Sequence, residues 1–182
     1  MMNRMLILVA SVLLLQPMAG ADEETVNAPV VRSSECGRFY ARSMPDEGHG
    51  QKGKTLVYSV LPDGDQKICE YDWYATEIRL HWSGLVRFGP WQRGHATQDD
   101  HLAIGFYQNG KTIREYSTKE MEKLSSGLEQ SVSHYQVFGK RIGFRWLDRN
   151  RIAYEVEGVS GKLFTFDLGT GGIVEQAAKR AE

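Results

Sequence analysis

Residues 84–116 constrain the fold more than any other stretch of the chain. From His101 to Gln108 apolar residues alternate, with Leu102, Ile104 and Phe106 on one face. Asn109-Gly110 then supplies two residues that tolerate positive φ before Lys111 begins a return strand. This pattern predicts a β-hairpin. A two-residue loop pairs Gln108 with Lys111, Phe106 with Ile113 and Ile104 with Glu115. Glu115 then falls on an otherwise apolar face, which marks either a rim position or a register off by one.

Two more hairpins repeat the plan. Residues 56–61 and 67–73 flank the turn cluster Pro62-Asp63-Gly64-Asp65, and residues 151–157 and 162–168 flank Gly158-Val159-Ser160-Gly161. Leu56, Leu102 and Ile152 open the units, Gly64, Gly110 and Gly161 sit at the turns, and Tyr71, Tyr116 and Phe166 close them, with periods of 46 and 50 residues. Antiparallel units of about 40–50 residues are the sequence signature of propeller blades. A closed propeller needs about four or more of them. The expected class is therefore mainly β, antiparallel sheets forming a sandwich or open barrel with three blade-like hairpins, a partial propeller being the alternative. Residues 77–82, 85–88 and 142–147 read as further strands, and residues 36–42 as a short one. One short helix is expected near 118–124, where Ser117 and Glu120 have the spacing of a capping box.

At the N-terminus, Arg4 precedes an apolar run over residues 5–15, followed by Pro17 and Ala19-Gly20-Ala21. This reads as a cleavable signal peptide, residues 1–21, because a run of about 11 apolar residues is too short to cross roughly 30 Å of hydrocarbon. The expected location is periplasmic or secreted. Beyond the signal, residues 22–34 read as a flexible leader, 35–175 as a single β domain and 176–182 as a tail that is frayed or a helical turn. Removing the signal leaves 161 residues with a formal charge of −2, from 22 basic residues less Arg4 against 23 acidic ones. No basic block stands out, which excludes nucleic acid as an expected partner and gives no patch for anionic lipid. Cys36 and Cys69 are the only cysteines, so in an oxidising compartment the expectation is one disulfide, with two free thiols as the alternative.

Several runs, RFGPWQRG, DDHLAIGFYQNGKTIREYS, SVSHY and GKLFTFDLGTGGIV, make roughly residues 54–174 resemble a group of exported bacterial proteins of undetermined function with propeller-blade-like hairpins. The resemblance implies a β-rich fold outside the cytoplasm. It brings no catalytic residues to carry over.

The polar constellation of interest is Trp91, Arg93, His95, Asp99, Asp100 and His101. Imidazole and carboxylate are ligands for zinc, copper or manganese, so His95, Asp99 and His101 are the candidate divalent-metal set, against the plainer reading of a solvated loop. Trp91, after Pro90 in a glycine-flanked loop, is either a core residue or an exposed platform for a ligand or protein. Three other patterns carry less. Gly48, Gly53, Lys54 and Thr55 fit a phosphate-binding loop, but the residues that follow read as strand and end at Pro62, leaving no helix to receive a phosphate. Ser131, Ser133 and His134 suggest a nucleophile, but adjacent strand residues point to opposite faces. Glu70, Asp72 and Glu77 beside Trp73 and Tyr74 suggest a carboxylate pair of the kind that cleaves glycosides, a grouping that aromatic strands also produce by chance.

The reading these observations favour is an exported binding or interaction module, not an enzyme, for an unidentified protein or small-molecule ligand contacted by Trp91, Arg93, His95 and Asp99. The alternative is a metal-binding protein or metal-dependent hydrolase using His95, Asp99 and His101.

Overall fold

Period-two alternation builds fifteen strands along residues 26–177, the span described by the computed structural model. The expected signal peptide lies outside the described residues, as do residues 178–182.

The first sheet is a meander of β1 (Val30–Ser33), β2 (Phe39–Pro45), β3 (Gly53–Ser59) and β4 (Gln66–Tyr71). The second joins β5 (Glu77–His81), β6 (Gly84–Phe88), β8 (Leu102–Gln108) and β9 (Lys111–Ser117) in that order. Between β6 and β8 the chain leaves this sheet for β7 (Gln92–Arg93), which pairs with β11 (His134–Gln136) beside β10 (Glu129–Gln130) in a small third sheet. The fourth is a meander of β12 (Phe138–Trp146), β13 (Ile152–Gly158), β14 (Leu163–Asp167) and β15 (Ile173–Ala177). All pairings are antiparallel, and each expected glycine-turned hairpin is present in a different four-stranded sheet.

The three large sheets stack. Ile78, Leu80, Leu85 and Tyr107 of the second sheet pack on Ala41, Val57 and Tyr71 of the first. On its other face, Val86, Phe88, Ile104 and Phe106 pack on Ile152, Tyr154, Val156 and Phe166 of the fourth. Burying both faces of the middle sheet supplies the core, since each large apolar side chain taken from water is worth about 1.5–3 kcal/mol. The outer faces are polar. Lys67 pairs with Glu70 on the first sheet at 2.9 Å, and Arg145 bridges Glu155 at 2.5 Å and Glu175 at 2.8 Å on the fourth. Charged outer faces end the stack at three layers, as a sandwich and not a closed ring.

The Glu115 misfit is resolved by a bulge. Gln108 pairs with Lys111 and Tyr107 with Thr112, but Phe106 pairs with Arg114, so Ile113 is an extra residue. The slip brings Tyr116 opposite Ile104 and sends Glu115 to the other face, where its carboxylate accepts a hydrogen bond from the Tyr107 hydroxyl. Asn109 and Gly110 carry the turn at φ 51° and 76°.

Helix α1 (Thr118–Ser125) forms where expected, with both halves of the Ser117–Glu120 capping box made. Gly53, Lys54 and Thr55 lie in β3, so no phosphate loop exists there. Three expectations need correction. The leader is not structureless to residue 34, because Val30–Ser33 pairs with β2 as the edge strand of the first sheet. The C-terminal segment through Ala177 is strand β15, held by β14. Cys36 and Cys69 are unpaired thiols. Cys69 sits opposite Val57, which sits opposite Ala41, so β3 separates Cys69 from β2 by two strand spacings, about 10 Å. Cys36 lies in the turn on the far side of β2, while a disulfide needs Cα atoms within about 7 Å. Trp82 and Trp146 are exposed. Among the described residues no helix is long and apolar enough to cross a membrane.

Candidate functional site

The connections at one end of the stack are the long ones: residues 46–52 between β2 and β3, 72–76 between the first two sheets, 89–101 around β7, and 126–137 after the helix. They enclose a cleft of about 910 Å³. Gln51, Tyr74 and Thr76 line it from the first connections, Trp91, Gln92, Arg93 and His101 from the β6–β8 crossing, and Ser131 and His134 from the small sheet.

Close backbone contact fixes the β6–β8 wall. A Cβ on Gly89 would lie 1.8 Å from the carbonyl oxygen of Leu102, so glycine lets β6 and β8 converge directly beneath His101. Trp91 then stands at the rim, 43% exposed, and is not a core residue. Gln92 turns inward on β7 opposite Tyr135 and is only 8% exposed. Its Nε2 has no hydrogen-bond partner among the described residues.

Two of the three imidazoles lining the cleft, those of His101 and His134, are tied down at Nδ1. His101 Nδ1 lies 2.7 Å from the Tyr135 hydroxyl, and that hydroxyl lies 3.0 Å from Thr118 Oγ1 at the start of α1. Burial pushes the Tyr135 phenol above its ordinary value, keeping it a neutral hydrogen-bonding group. Tyr135 has one proton for two neighbours, so rotating the two hydroxyls together lets His101 present Nε2 as donor or as acceptor. His134 Nδ1 lies 2.8 Å from Ser133 Oγ. This corrects the expectation that strand alternation keeps those two side chains apart: Ser133 sits in a bend before β11, where the alternation has not begun. Among the described residues no third group is hydrogen-bonded to the His134 ring to orient it as a base.

A buried cation backs the cleft. Arg87 on β6 is 6% exposed, and its Nη2 donates to Gln51 Oε1 at 2.5 Å and to the Tyr74 carbonyl at 3.1 Å. Its guanidinium lies 4.5 Å over the Trp73 ring. These contacts clamp the 46–52 and 72–76 connections to the second sheet.

The predicted polar constellation divides. Trp91, Arg93 and His101 reach the cleft, while His95 and Asp99 fall outside its lining. Asp99 is exposed and held by Lys119 Nζ at 2.6 Å, and His95 receives Gln130 Nε2 on its carbonyl at 2.9 Å. Among the described residues no group of three or more His, Cys, Asp or Glu is placed to hold a metal ion, so His95, Asp99 and His101 are not brought together as a ligand set. The carboxylates near Trp73 are also dispersed: Glu70 faces outward with Lys67, and Glu77 turns toward the fourth sheet, bound by Arg79 at 3.0 Å and Arg141 at 3.1 Å.

No protein-family model, curated protein or solved structure matches the chain.

Gln92, Tyr74 and Gln51 were not legible as site residues in the sequence. Tyr74 was visible only as one aromatic among many, and its place follows from its hydroxyl donating to the Ala28 carbonyl at 2.7 Å.

Proposed function

We propose that the chain is an exported, periplasmic or secreted, binding module whose contact site is the cleft behind Trp91, with Arg93, His101, His134 and Gln92 as its polar groups. The observation that carries this reading is the exposed indole of Trp91 at the rim of a cleft of about 910 Å³ whose lining includes Gln92, Arg93, His101 and His134. A concave site with an aromatic edge and a few convergent polar groups is the general form of a ligand site. His101 and His134 support this reading, because each is oriented by a neighbouring hydroxyl. His95 and Asp99 take a supporting role, tying their loop to the helix and the small sheet.

The test is a ligand-observed NMR screen of sugars, organic acids, amino acids and short peptides against the exported chain and its Trp91→Ala variant. Binders whose signal is lost in the variant support the reading. Binders that hold Trp91→Ala equally well, or turnover of a screened compound, overturn it.

A further inference from the structure

At the end of the stack away from Trp91, the first two sheets part to leave a pocket of about 250 Å³. Val57 and Tyr71 of the first sheet and Leu80 and Leu85 of the second line it, and all four are buried members of the core between those sheets. The floor of the pocket is therefore the core itself. Trp82, in the turn between β5 and β6, and Ile68, on β4, stand at its mouth, 54% and 46% exposed. Packed interiors leave few voids larger than a water molecule, so an opening of this size between two packed layers is a feature of the site and not of ordinary packing. Gln108, Ser83 and Tyr71 bring amide and hydroxyl groups to the lining, and each is already engaged within the protein. Gln108 Nε2 donates to the Ser83 carbonyl at 2.9 Å, Ser83 Oγ lies 2.8 Å from His81 Nδ1, and the Tyr71 hydroxyl accepts from the Gly110 amide at 3.3 Å. The described lining holds no Asp, Glu, Lys or Arg.

We propose that this pocket is a second site, independent of the Trp91 cleft, and that it takes a small uncharged aromatic molecule of one or two fused rings. The volume sets the size. A cavity of roughly 150 Å³ between apolar side chains holds a benzene ring, and sites for drug-sized ligands begin near roughly 300 Å³. The floor sets the chemistry. An ion would be stripped of water against Val57, Leu80 and Leu85 with no charged partner in the described lining. A polyol would leave hydroxyls unpaired there, at a cost of roughly 1–3 kcal/mol each. A flat apolar ring meets neither penalty, and it extends an array already present, in which the Tyr71 ring packs on Trp73 at 5.2 Å and on Tyr107 at 5.4 Å. Cys69, a free thiol in the same wall, gives the site a built-in reporter.

The experiment titrates the isotope-labelled chain with indole and, as a polyhydroxylated ring of similar size, with myo-inositol. Binding is read from the side-chain N–H resonances of the four tryptophans and from the rates at which iodoacetamide alkylates the two thiols. Cys69 lies in the pocket wall while Cys36 is exposed in the turn between β1 and β2, so Cys36 serves as the internal control. Saturating indole should move Trp82, leave Trp91 and Trp146 in place, and slow alkylation of Cys69 about fivefold or more with Cys36 unchanged. Myo-inositol should do none of this. Trp82→Ala, at an exposed turn position, should weaken indole about threefold or more, and Cys69→Phe, which places a ring in the pocket, should abolish its binding. If Cys69→Phe does not fold, Trp82→Ala and the alkylation rates decide the matter by themselves. Myo-inositol binding at Trp82 as tightly as indole, a Trp82 shift without protection of Cys69, or no response to indole each overturn the proposal. None of these results bears on the Trp91 cleft, whose ligands are read at Trp91.

Discussion

The hydroxyl of Tyr135 stands 2.7 Å from Nδ1 of His101 and 3.0 Å from Thr118 Oγ1, joining the small sheet, the mouth of β8 and the first turn of α1. Tyr135→Phe keeps the ring and removes this junction. The expected cost is about 1–2 kcal/mol in urea denaturation, together with a changed His101 tautomer balance in its ring-nitrogen NMR shifts. Stability loss without a change at His101 would show that the hydroxyl does not orient the imidazole.

Arg87 is buried between the first two sheets with Gln51, the Tyr74 carbonyl and the Trp73 ring as its partners. Arg87→Ala removes a desolvated cation and leaves those acceptors facing a cavity. The expected loss is about 2–4 kcal/mol by denaturant melt, with faster hydrogen exchange in residues 46–52 and 72–76. Arg87→Lys should recover only part of it, because an ammonium cannot lie flat on the indole while reaching two acceptors.

Gly89 allows β6 and β8 to converge with no room for a Cβ, the nearest backbone atom being Leu102 O at 1.8 Å. Gly89→Ala must move one strand mouth. We expect about 1–3 kcal/mol of destabilisation and loss of Trp91-dependent binding, while Gly94→Ala, at φ +98° in open space, should lose stability from backbone strain without the same effect on the cleft.

Stability should fall at both ends of the pH scale. Burial raises the hydroxyls of Tyr71, Tyr107, Tyr116, Tyr135 and Tyr154 above their ordinary value. A raised folded-state value means full stability below the unfolded-state tyrosine value of about 10 and progressive loss as pH climbs beyond it. His81, packed against Phe144, is lowered by burial, partly offset by Glu35. Its contribution is therefore present above the unfolded-state histidine value of about 6.5 and is lost as pH falls below it. Denaturation midpoints from pH 4 to 12 check this: His81→Phe should flatten the acid limb only.

The hairpins were legible because their signals are local: alternation on either side and glycine at the turn, as at Gly64, Gly110 and Gly161. The bulge at Ile113 was legible only as a contradiction, Glu115 on an apolar face, since resolving it required knowing that Tyr116 packs on Phe166. β1 and β15 escaped notice because their residues are ordinary, and partner strands in space make them strands. At the site, Trp91 and His101 were found from composition, but His95 and Asp99 were grouped with them by proximity in sequence while their loop carries them outside the lining. Gln92 left no trace, because a buried glutamine beside an arginine reads like any polar pair in a loop.

The most direct test of the central claim, that the end of the stack holding Trp91 is the contact surface, is the indole N–H spectrum with the tightest binder from the screen. Trp91 should move, with Trp73 following weakly through Arg87, while Trp82 and Trp146 stay fixed. Movement of Trp82 alone, in the turn between β5 and β6 beside the smaller pocket at the opposite end, would place the contact surface on the wrong end and contradict the account.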